Sequence, residues 1–596
     1  MNSVTSQSQS AFVEKRNIFD GPLIVNEVVS WAKKKKLEVM LFKVDFDEAY
    51  DSVNWGFLLD NMKMMGFPKR WRRWINACLS SSKASVLVNG SPTKEFDLKR
   101  GLRQGDPLSP FLFILVMEVL DVFLKRAVTL GFYEGVKLPN GGPVLTHLCY
   151  ADDVIFLGRW SDKNVDILKR ILRCLFLVSG LKVNLAKCSL MGVGVENVVV
   201  QEMAKNIGCK KGDIPFTFLG LPIGENMKRV KPWRPIIDKF SKKLSRWKAK
   251  SLSMGGRITL AKAVLGNLPS YFLSIFKAPV KVIKTLEGIR RDFVWGNTGS
   301  TCKMRWVAWY KVQAHRRLGG LGLGEIRSLN WALLVKWRTR FKNCPDQLWA
   351  IVIKAIHGTP DSTSDVPVKK EIAGNWKDIT MVSKDLEKVG VHGAELFGMV
   401  GADGSFSVAQ FRWKIAEIMG NKVQTEGFGW NVWTPCKVLY FVWKLSMGCI
   451  ATKSALARRG VQVVDTHCSL CGFGEESTSH LTASCVMARS VWWHVCVWLK
   501  IPVHTQPASY KDFVEGLKKI KGSTDWKKVI EVIFHATLWR IWRARNATVF
   551  DKVPFNVSKV VEDIKEDSFL WIKFRSKFSG LVWERWRDFN VRDIIL

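Results

Sequence analysis

Apolar residues occur along the first third of the chain in short runs that end at acidic residues. The run from Val39 to Val44 has the length of a buried strand and is followed directly by Asp45. Residues 48–67 then carry apolar side chains at helical spacing, which predicts a helix. HLCYADDVIFLG (147–158) places two short apolar runs around a pair of aspartates, which predicts two strands joined by a tight turn. Strands and helices are both predicted in this part of the chain, and we expect an α+β fold.

The segment between these two regions predicts a hairpin and a loop. Asn89-Gly90 lies between two apolar stretches and is a strong signal for a two-residue hairpin turn. The basic, glycine-containing residues 100–105 predict a flexible loop. Asp106 follows this loop and is predicted to cap the next helix, with Pro107 at its first position.

After residue 225 the pattern becomes mostly helical. Residues 237–247 carry apolar side chains at helical spacing, and residues 525–550 predict one long helix. Residues 357–370 are polar and contain proline, which makes them the best candidate for a linker. We therefore predict five regions, namely 1–225, 226–356, 357–404, 405–500 and 501–596.

The composition favours a protein with substantial cores and a polyanionic partner. The chain is 47% hydrophobic and 11% aromatic, and it carries 91 Lys and Arg against 53 Asp and Glu, a formal net charge of +38. This excess favours nucleic acid or an anionic membrane surface. The longest apolar run, residues 111–120, contains Glu118 and is too short to span a bilayer. Nucleic acid is therefore the leading class of partner.

The N-terminal residues and the cysteines indicate the kind of cellular compartment in which the protein acts. MNSVTSQSQSAFV has no apolar core, so we expect no signal peptide. Without one, 13 cysteines favour a reducing compartment, where thiols pack in cores or bind metal instead of forming disulfides.

Asp45, Asp152 and Asp153 indicate a metal site if the fold brings them together. Taken separately, the aspartate pair is typical of a solvated turn and Asp45 of a helix cap. Three carboxylates at one place repel by roughly 4 kcal/mol per pair at about 4 Å and an effective dielectric constant of about 20. A divalent cation relieves this repulsion, and hard oxygen ligands suit Mg²⁺. Two such ions about 3.5–4 Å apart stabilise both oxygens of a phosphoryl displacement, which is polymerase chemistry.

A second cluster of metal-ligand residues lies in HCSLCGFGEESTSHLTASC (467–485). Three thiols and one imidazole have the number and spacing of a closed tetrahedral zinc site: Cys468, Cys471, His480 and Cys485. Buried cysteines without metal are the alternative, and His467 or Cys496 could replace one of the four ligands. A closed site indicates a structural or RNA-holding role.

Residues 228–262 are strongly basic. They hold twelve Lys and Arg and one acid, Asp238. The predicted helix has one apolar face, formed by Ile237, Phe240, Leu244 and Trp247, and a cationic stripe, formed by Lys239, Lys242, Lys243 and Arg246. A cationic face is often only solvated, but twelve cations to one acid favour a phosphate track along a nucleic-acid duplex.

Five motifs in order resemble those of one enzyme family. KVDFDEAYDSV (43–53), RQGDPLSP (103–110) and YADD (150–153) resemble the first three catalytic motifs of a reverse transcriptase palm. GLKVNLAKCSLMGVG (180–194) resembles the fourth motif and FTFLGLPIG (216–224) the primer-grip motif. FTFLGLPIG and QSAFVEKR (9–16) are most similar to plant LINE-type non-LTR retrotransposon reverse transcriptases. The cysteine cluster is similar to the zinc-binding domain that follows these enzymes, so the resemblance runs nearly end to end.

The resemblance implies a right-hand polymerase palm with partial fingers, a helical thumb and a mostly helical zinc-binding C-terminal module. It implies an RNA-directed DNA polymerase that transfers nucleotides onto a primer 3′-hydroxyl by two-metal chemistry. RNA template, DNA primer and dNTPs would be its partners, and two Mg²⁺ ions and a structural Zn²⁺ its cofactors. No membrane is implied, and the localisation would be nuclear, cytoplasmic or both.

The motifs also imply roles for individual residues. Asp45, Asp152 and Asp153 would bind the two Mg²⁺ ions, with the backbone carbonyl of Phe46 as a further ligand. Tyr50 would stack under the incoming sugar and exclude a 2′-hydroxyl, although a core aromatic residue is the alternative.

Four further residues would complete the nucleotide site. Gln104 and Gly105 would shape the pocket for nucleotide and template, and Arg16 would reach the triphosphate. Lys187 would protonate pyrophosphate as a general acid, with a solvated lysine as the alternative.

Two other hypotheses follow from the same residues. Members of the family carry an endonuclease domain and the first fingers motifs ahead of QSAFVEKR, and eight residues precede it here. We therefore expect a fingers-truncated polymerase, with a catalytically inactive retroelement remnant that only binds RNA or DNA as the alternative. A group II intron maturase shares YADD but is disfavoured by FTFLGLPIG and the cysteine cluster.

Overall fold

The computed structural model describes residues 1, 3–297, 303–358, 366–392, 406–419, 428–501, 510–519, 522–578 and 580–590. The chain divides into two compact units. Unit 1 comprises residues 1–234, 271–279 and 330–408, and unit 2 comprises residues 235–270, 280–329 and 409–596. The domain boundaries expected at residues 225, 356, 404 and 500 stay predictions.

Strands and helices alternate through the first 223 residues, as the apolar runs predict. The longer strands are β1 (Val39–Val44), β9 (His147–Tyr150), β10 (Asp153–Arg159), β12 (Ser189–Val193), β14 (Phe216–Phe218) and β15 (Leu221–Ile223). The two-residue strands are β2 (Phe46–Asp47), β3 (Lys83–Ala84), β4 (Leu87–Val88), β5 (Ser91–Pro92), β6 (Phe96–Asp97), β7 (Val136–Lys137), β8 (Val144–Leu145), β11 (Lys182–Val183) and β13 (Lys210–Lys211). The helices are α1 (Asp20–Lys35), α2 (Trp55–Met64), α3 (Lys69–Ser80), α4 (Ser109–Thr129), α5 (Asp162–Ser179) and α6 (Asn197–Ile207).

A five-stranded sheet in the order β13–β12–β1–β10–β9 carries the core of unit 1. β1 is antiparallel to both of its neighbours, with Val44 opposite Val154 of β10 and Met40 opposite Gly192 of β12. Five of the six residues of β1 are buried, all except Lys43, as expected for a mainly apolar run in a central strand. β9 and β10 form the predicted hairpin, with Tyr150 opposite Asp153.

Two local predictions about this region were wrong and one is confirmed. The helix expected over residues 48–67 begins only at Trp55, because Asn54 caps it and accepts a hydrogen bond from the Phe57 N–H. Asp106 does not cap α4, which begins at Ser109; its side chain instead accepts from the Leu108 N–H in a local turn. Asn89-Gly90 forms the predicted hairpin turn, with positive φ at both residues.

The remaining helices follow in chain order. The first set is α7 (Arg234–Lys243), α8 (Arg246–Ser251), α9 (Met254–Asn267), α10 (Ser270–Leu273), α11 (Val280–Trp295), α12 (Trp309–Gln313), α13 (Ile326–Asn343), α14 (Leu348–His357), α15 (Asn375–Thr380) and α16 (Val382–Glu387). The second set is α17 (Val408–Ile418), α18 (Cys436–Ser446), α19 (Lys453–Ala457), α20 (Val486–Leu499), α21 (Tyr510–Lys519), α22 (Thr524–Phe550), α23 (Val557–Arg575) and α24 (Trp583–Arg587).

The basic helix predicted after residue 228 is interrupted. α7 ends at Lys243 and α8 begins at Arg246, although the apolar spacing continues through the gap. Ser245 directly precedes α8, a position that serine favours. Lys239, Lys242 and Lys243 are exposed, as the predicted cationic stripe requires. The side chains of Arg246 and Trp247 lie outside the described residues.

Residues 366–392 fall in the predicted linker but fold as part of unit 1. α15 and α16 bury Trp376 and Leu386. The Trp376 backbone N–H donates to Glu27 Oε1 at 2.7 Å, and His357 Nε2 lies 2.9 Å from Glu27 Oε2. Buried hydrogen bonds thus connect these residues with α1. The other residues of the predicted linker, 359–365 and 393–404, lie outside the described residues.

The C-terminal part of unit 2 packs around the predicted long helix. α22 confirms that prediction and contacts α18, α20 and α23. Arg545 of α22 is buried and forms an ion pair with Glu476. The Glu476 carboxylate also accepts hydrogen bonds from the N–H groups of Lys453 and Ser469. This network joins the tail to the segment that carries the cysteine cluster.

In the part of the chain that the structure describes, every helix is too short or too polar to cross a lipid bilayer.

Candidate active site and metal centre

The three predicted metal-ligand aspartates lie at one end of the five-stranded sheet. β1 ends at Val44, which pairs with Val154, so Asp45 continues β1 beside the start of β10 at Asp153. Asp152 lies in the turn between β9 and β10. Asp152 is exposed, whereas Asp45 and Asp153 are half-buried. A central strand and a hairpin turn therefore present the three carboxylates at neighbouring positions.

The fourth sequence motif holds the backbone around Asp45. The Asp45 carbonyl accepts a hydrogen bond from the Asn184 N–H at 2.9 Å, and the Asp45 N–H donates to Cys188 Sγ at 3.4 Å. Phe46 pairs with Val183 in the short β2–β11 ladder. The Asn184 side chain donates to Asp47 Oδ1 at 2.7 Å. The orientation of the first aspartate thus depends on residues almost 140 positions later.

The electrostatics of the site fit a divalent cation. Burial raises the pKa of Asp153, the neighbouring carboxylate of Asp152 raises this pKa further, the Lys43 ammonium lowers it, and the Asp45 carboxylate again raises it. The Asp153 carboxylate is therefore close enough to Asp152 and Asp45 for electrostatic repulsion, and a divalent cation would neutralise this excess of negative charge. The donor set consists of carboxylate oxygens with the Phe46 carbonyl adjacent in sequence, which suits Mg²⁺.

Lys187 lies at the edge of this site. Its Nζ is 3.9 Å from Asp45 Oδ1, and both side chains are largely exposed, at 63% and 48%. A contact of this length between exposed groups contributes little to stability. Its position beside the acids is nevertheless one from which an ammonium group can reach a bound anion.

Tyr50 lies next to the aspartates and is fixed by an aromatic contact. Its ring stacks on Phe113 of α4, with centroids 4.5 Å apart and planes at 16°. Burial raises the pKa of Tyr50, and the Asp152 carboxylate raises it further, so the phenol stays neutral. Phe46 is buried, and its side chain belongs to the core of unit 1.

Gln104 and Gly105 lie in an exposed loop beside the segment that follows β2. Gln104 Nε2 donates to Asp51 Oδ2 at 3.3 Å. Gly105 has a φ of 92°, which a residue with a side chain rarely adopts. At Gly101 a Cβ atom would lie 2.5 Å from the Asp51 carbonyl oxygen, so glycine is also required there. The loop is thereby held close to the Tyr50 segment.

The Arg16 guanidinium binds backbone within its own segment. It donates to the carbonyl oxygens of Thr5, Ser6 and Gln9, and burial lowers its pKa. The described contacts of Arg16 are therefore with the N-terminal segment, and its predicted contact with a triphosphate stays a prediction.

The primer-grip motif forms a hairpin in the same unit. β14 pairs with β15, and Leu219 and Gly220 in the turn both have positive φ. The Tyr271 hydroxyl donates to the Leu219 carbonyl, and Lys43 Nζ donates to the Thr217 carbonyl at 3.3 Å. Burial raises the pKa of Tyr271 to about 12, and Tyr150 and then Asp153 contribute to the shift. Lys43 and Tyr271 thus connect this hairpin with the surroundings of Asp153.

Sequence reasoning missed two residues that contact the site, Gln9 and Tyr271. The Gln9 side chain accepts a hydrogen bond from the Ala151 N–H, directly before the aspartate pair. Gln9 lies in a motif that the family resemblance singles out, but its own spacing gives no signal. Tyr271 follows a helical, basic region, and only the folded chain brings it back to the palm.

The four predicted zinc ligands come together in unit 2. One ligand atom from each of Cys468, Cys471, His480 and Cys485 lies within 4.8 Å of all the others. Cys468 Sγ is 3.8 Å from Cys485 Sγ, and Cys471 Sγ is 3.4 Å from His480 Nε2. His467 instead contacts Asp465 at 2.6 Å, and Cys496 lies on α20.

The thiols of this cluster are arranged to stabilise a thiolate. A hydrogen bond between the two thiols lowers the pKa of Cys468, against the effect of burial, and raises the pKa of Cys485, so the pair shares one proton more readily than two. The N–H groups of Cys471 and Leu470 lower the pKa of Cys468 further. Cys468 and Cys485 are buried, while Cys471 and His480 are half-buried. Three sulfur atoms and one imidazole nitrogen in a closed knuckle form the donor set of a structural zinc site.

A sheet of this order, with three aspartates where its central strand and a hairpin turn meet, defines a palm-type nucleic-acid polymerase domain. Residues 1–223 match the family described as reverse transcriptase (RNA-dependent DNA polymerase), and residues 406–492 match the family described as zinc-binding in reverse transcriptase. Residues 1–223 are thus a reverse transcriptase domain, and a zinc-binding domain of the kind found in reverse transcriptases follows it along the chain.

Three relatives each match part of this chain, and two of them are named as transposon proteins. An Arabidopsis thaliana protein named as a ribonuclease H protein is 32% identical over 159 residues, 26% of each chain. The 149 kDa protein of transposon TX1 from Xenopus laevis is 25% identical and covers 54% of this chain and 24% of its own length. The Pol polyprotein of retrotransposable element R2DM from Drosophila melanogaster is 24% identical and covers 54% of this chain and 30% of its own. This chain thus spans about a quarter of their length.

Proposed function

We propose that this chain is an RNA-directed DNA polymerase of a non-LTR retroelement, which extends a primer 3′-hydroxyl on an RNA template. The observation that carries the proposal is the convergence of Asp45, Asp152 and Asp153 at one end of the sheet of a reverse transcriptase domain. The negative charges of Asp152 and Asp45 both raise the pKa of Asp153, which indicates that the three carboxylates are close enough to share divalent cations.

Asp45, Asp152, Asp153 and the Phe46 carbonyl would hold two Mg²⁺ ions. When bound, such ions favour the deprotonated primer hydroxyl and neutralise charge on the triphosphate. Asp45 directly follows β1 and Asp153 begins the neighbouring strand β10, so the protein supplies preorganised negative charge.

The other residues at the site would bind and orient the dNTP. The Tyr50 ring, held by Phe113, would form the floor under the sugar and leave no room for a 2′-hydroxyl. Gln104 and Gly105 would approach the nucleotide and template from the loop before α4. Lys187 would donate a proton to the departing pyrophosphate from its place beside Asp45.

The cysteine cluster would hold one structural Zn²⁺. Its donor set is complete without water or substrate, so catalysis at this metal is not part of the proposal. The neighbouring Glu476–Arg545 ion pair would connect the zinc-binding segment with α22.

The basic segment 228–262 would track the phosphates of the template–primer duplex. Lys239, Lys242 and Lys243 of α7 are exposed and available for such contacts. We further propose that the protein acts in the nucleus, the cytoplasm or both, as the life cycle of a retroelement requires.

Primer extension on an RNA template tests the proposed function. The purified chain is given an oligo(dT) primer on a poly(A)-containing RNA, with Mg²⁺ or Mn²⁺ and dTTP. An Asp152→Ala, Asp153→Ala double variant removes two ligands, and Asp60→Ala serves as the matched control because Asp60 is exposed on α2. We expect extension by the wild type and the control, and none by the double variant.

The alternative is a protein that binds nucleic acid without polymerising. Binding of the same primer–template is therefore measured by fluorescence anisotropy for every variant. Tight binding with no extension by the wild type would contradict the polymerase and support the inactive remnant.

A further inference from the structure

The N-terminal segment pairs with the edge strand β9 beside the aspartate turn. The Ser10 N–H donates to the Cys149 carbonyl at 2.9 Å, and the Cys149 N–H donates to the Ser8 carbonyl at 2.8 Å. Gln9 and Cys149 thus form a parallel bridge. Residues 8–10 therefore cover an edge of the sheet that would otherwise be open.

The Gln9 side chain reaches from this segment into the turn. It is 2% exposed, and its Oε1 accepts hydrogen bonds from the Ala11 N–H at 3.0 Å and from the Ala151 N–H at 3.1 Å. The orientation of the amide is settled by chemistry, because both neighbours are donors and only the oxygen can face them. Gln9 Nε2 has no hydrogen-bond partner among the described residues.

Ala151 directly precedes the two aspartates, so its backbone conformation determines the direction of the chain at Asp152 and Asp153. Its φ of 53° lies in the left-handed region, which an alanine rarely adopts, and it is buried. Tight turns can adopt several conformations, and a backbone N–H that is satisfied in only one of them favours that one. The acceptor for the Ala151 N–H is Gln9 Oε1, so without this oxygen the buried N–H would lose its partner in the observed turn.

A second contact keeps Gln9 in place. The Arg16 guanidinium donates to the Gln9 carbonyl and to those of Thr5 and Ser6, and thereby closes residues 5–16 into a strap. Ser10 Oγ adds a further hydrogen bond to the Cys149 carbonyl at 3.1 Å. Both the backbone and the side chain of Gln9 are therefore fixed.

We propose that Gln9 is a positioning residue for the metal-binding turn, and that the strap of residues 5–16 exists to hold it. The inference rests on the proposed function, in which Asp152 and Asp153 hold divalent cations. The unpartnered Nε2 supports it: burying an amide with an unsatisfied donor is costly, so its acceptor must serve a purpose that an apolar side chain cannot. Gln9 touches no reacting atom and acts only through the backbone of Ala151.

Three variants separate this role from simple packing. Gln9→Met has nearly the same volume but no acceptor for the Ala151 N–H. Gln9→Glu retains an acceptor oxygen at the same position. Gln7→Met is the matched control, because Gln7 belongs to the same strap but is exposed and donates to the Asp346 carbonyl instead.

The first measurement needs no catalysis. Amide hydrogen exchange of the peptide covering residues 147–158 is followed by mass spectrometry in the metal-free protein. We expect about tenfold faster exchange there in Gln9→Met, and wild-type exchange in Gln7→Met. Unchanged exchange in Gln9→Met, in protein that melts at the wild-type temperature, would overturn the proposal.

The second measurement uses Mn²⁺ as the probe. Free Mn²⁺ is titrated by electron paramagnetic resonance, and the Asp152→Ala, Asp153→Ala variant defines the contribution of the turn. We expect Gln9→Met to weaken that binding by about tenfold and Gln9→Glu to restore most of it. Wild-type Mn²⁺ affinity in folded Gln9→Met would also reject the proposal. A wild type that shows these effects but extends no primer would refute the proposed polymerase and leave the positioning role standing.

Discussion

The Tyr50 ring stacks on the Phe113 ring with centroids 4.5 Å apart and an angle of 16° between the planes. This contact joins the segment after the first aspartate to the helix after the second motif. Because Phe113 is fully buried, the pair fixes Tyr50 relative to Asp45 even though Tyr50 itself is only half-buried. An aromatic pair of this kind contributes about 0.5–1.5 kcal/mol beyond burial.

Selection against ribonucleotides should depend on the Tyr50 ring and not on its hydroxyl. Tyr50→Phe keeps the stack on Phe113 and should retain the wild-type preference for dTTP over UTP. Tyr50→Ala removes the floor of the sugar site and should reduce that preference by about 10- to 100-fold. Single-nucleotide incorporation with each substrate measures the ratio, and Tyr310→Ala, at an exposed tyrosine of α12, is the control. Equal ratios in Tyr50→Ala and wild type would assign Tyr50 to the core alone.

The stability of unit 1 should fall as pH rises from about 4.5 to about 7 because of Glu118. Burial raises the pKa of Glu118 from about 4.5 to about 7, so the folded protein holds a proton that the unfolded chain releases between these values. The cost above pH 7 is on the order of 3 kcal/mol. Glu118→Gln keeps an acceptor for the Ser6 N–H, which Glu118 accepts at 2.8 Å, and avoids this cost.

Urea unfolding at several pH values measures this effect. Glu118→Gln should be more stable than the wild type at pH 8, and the difference should vanish near pH 4.5. Burial lowers the pKa of the nearby His147 to about 4. His147 therefore reduces the stability of the folded protein as pH falls below about 6.5, which is the opposite pH dependence to that of Glu118. Because His147 is present in both proteins, the difference between them isolates Glu118. A difference independent of pH would contradict the prediction.

The closeness of the four Cys and His ligands predicts one zinc ion per chain. Native mass spectrometry should find one Zn²⁺, and Cys485→Ser should lose it because Cys485 is a buried member of the cluster. Loss of the ion should lower the melting temperature of unit 2, since a structural zinc contributes directly to folding. Cys174→Ser, at an exposed cysteine of α5, should leave zinc content and melting unchanged. Full zinc content in Cys485→Ser would point to a different ligand set.

The exposed lysines of α7 predict a salt-dependent contact with nucleic acid. If Lys239, Lys242 and Lys243 each neutralise a phosphate, replacing all three with Ala should reduce the slope of log affinity against log salt by about 2–3. Anisotropy with an RNA–DNA duplex between 50 and 200 mM salt measures the slope. The control replaces the exposed lysines Lys527, Lys552 and Lys559 of the C-terminal region. Equal slopes for both triple variants would show that α7 is not the phosphate track.

The features that sequence predicted well are those governed by local pattern. The strand Val39–Val44 has the predicted bounds because its run of apolar residues, broken only by Lys43, favours a central strand. The cysteine cluster assembles as expected because its ligands are close in sequence and the knuckle is a local structure. The Asn89-Gly90 turn follows from the backbone freedom of the two residues.

The features that sequence missed depend on contacts between distant segments. Gln9 and Ala151 are 142 positions apart, and no periodicity connects them. The break between α7 and α8 occurs where the apolar spacing continues, so this spacing alone does not predict it. The folding of residues 366–392 depends on the buried carboxylate of Glu27, which polar composition could not reveal. Long-range polar contacts thus account for the differences at Gln9 and at residues 366–392.

Metal rescue at Asp45 tests the central claim most directly, namely that the aspartates hold the metal ions of a polymerase. Asp45→Cys replaces a hard oxygen ligand with a thiolate, which prefers softer ions to Mg²⁺. Incorporation of a single dTMP on an RNA template is measured with Mg²⁺ alone and with added Mn²⁺ or Cd²⁺. We predict that the wild type is active with Mg²⁺, that the variant is inactive with it, and that the softer ion restores the variant at least about tenfold. A wild-type rate for Asp45→Cys in Mg²⁺ would show that Asp45 binds no catalytic metal.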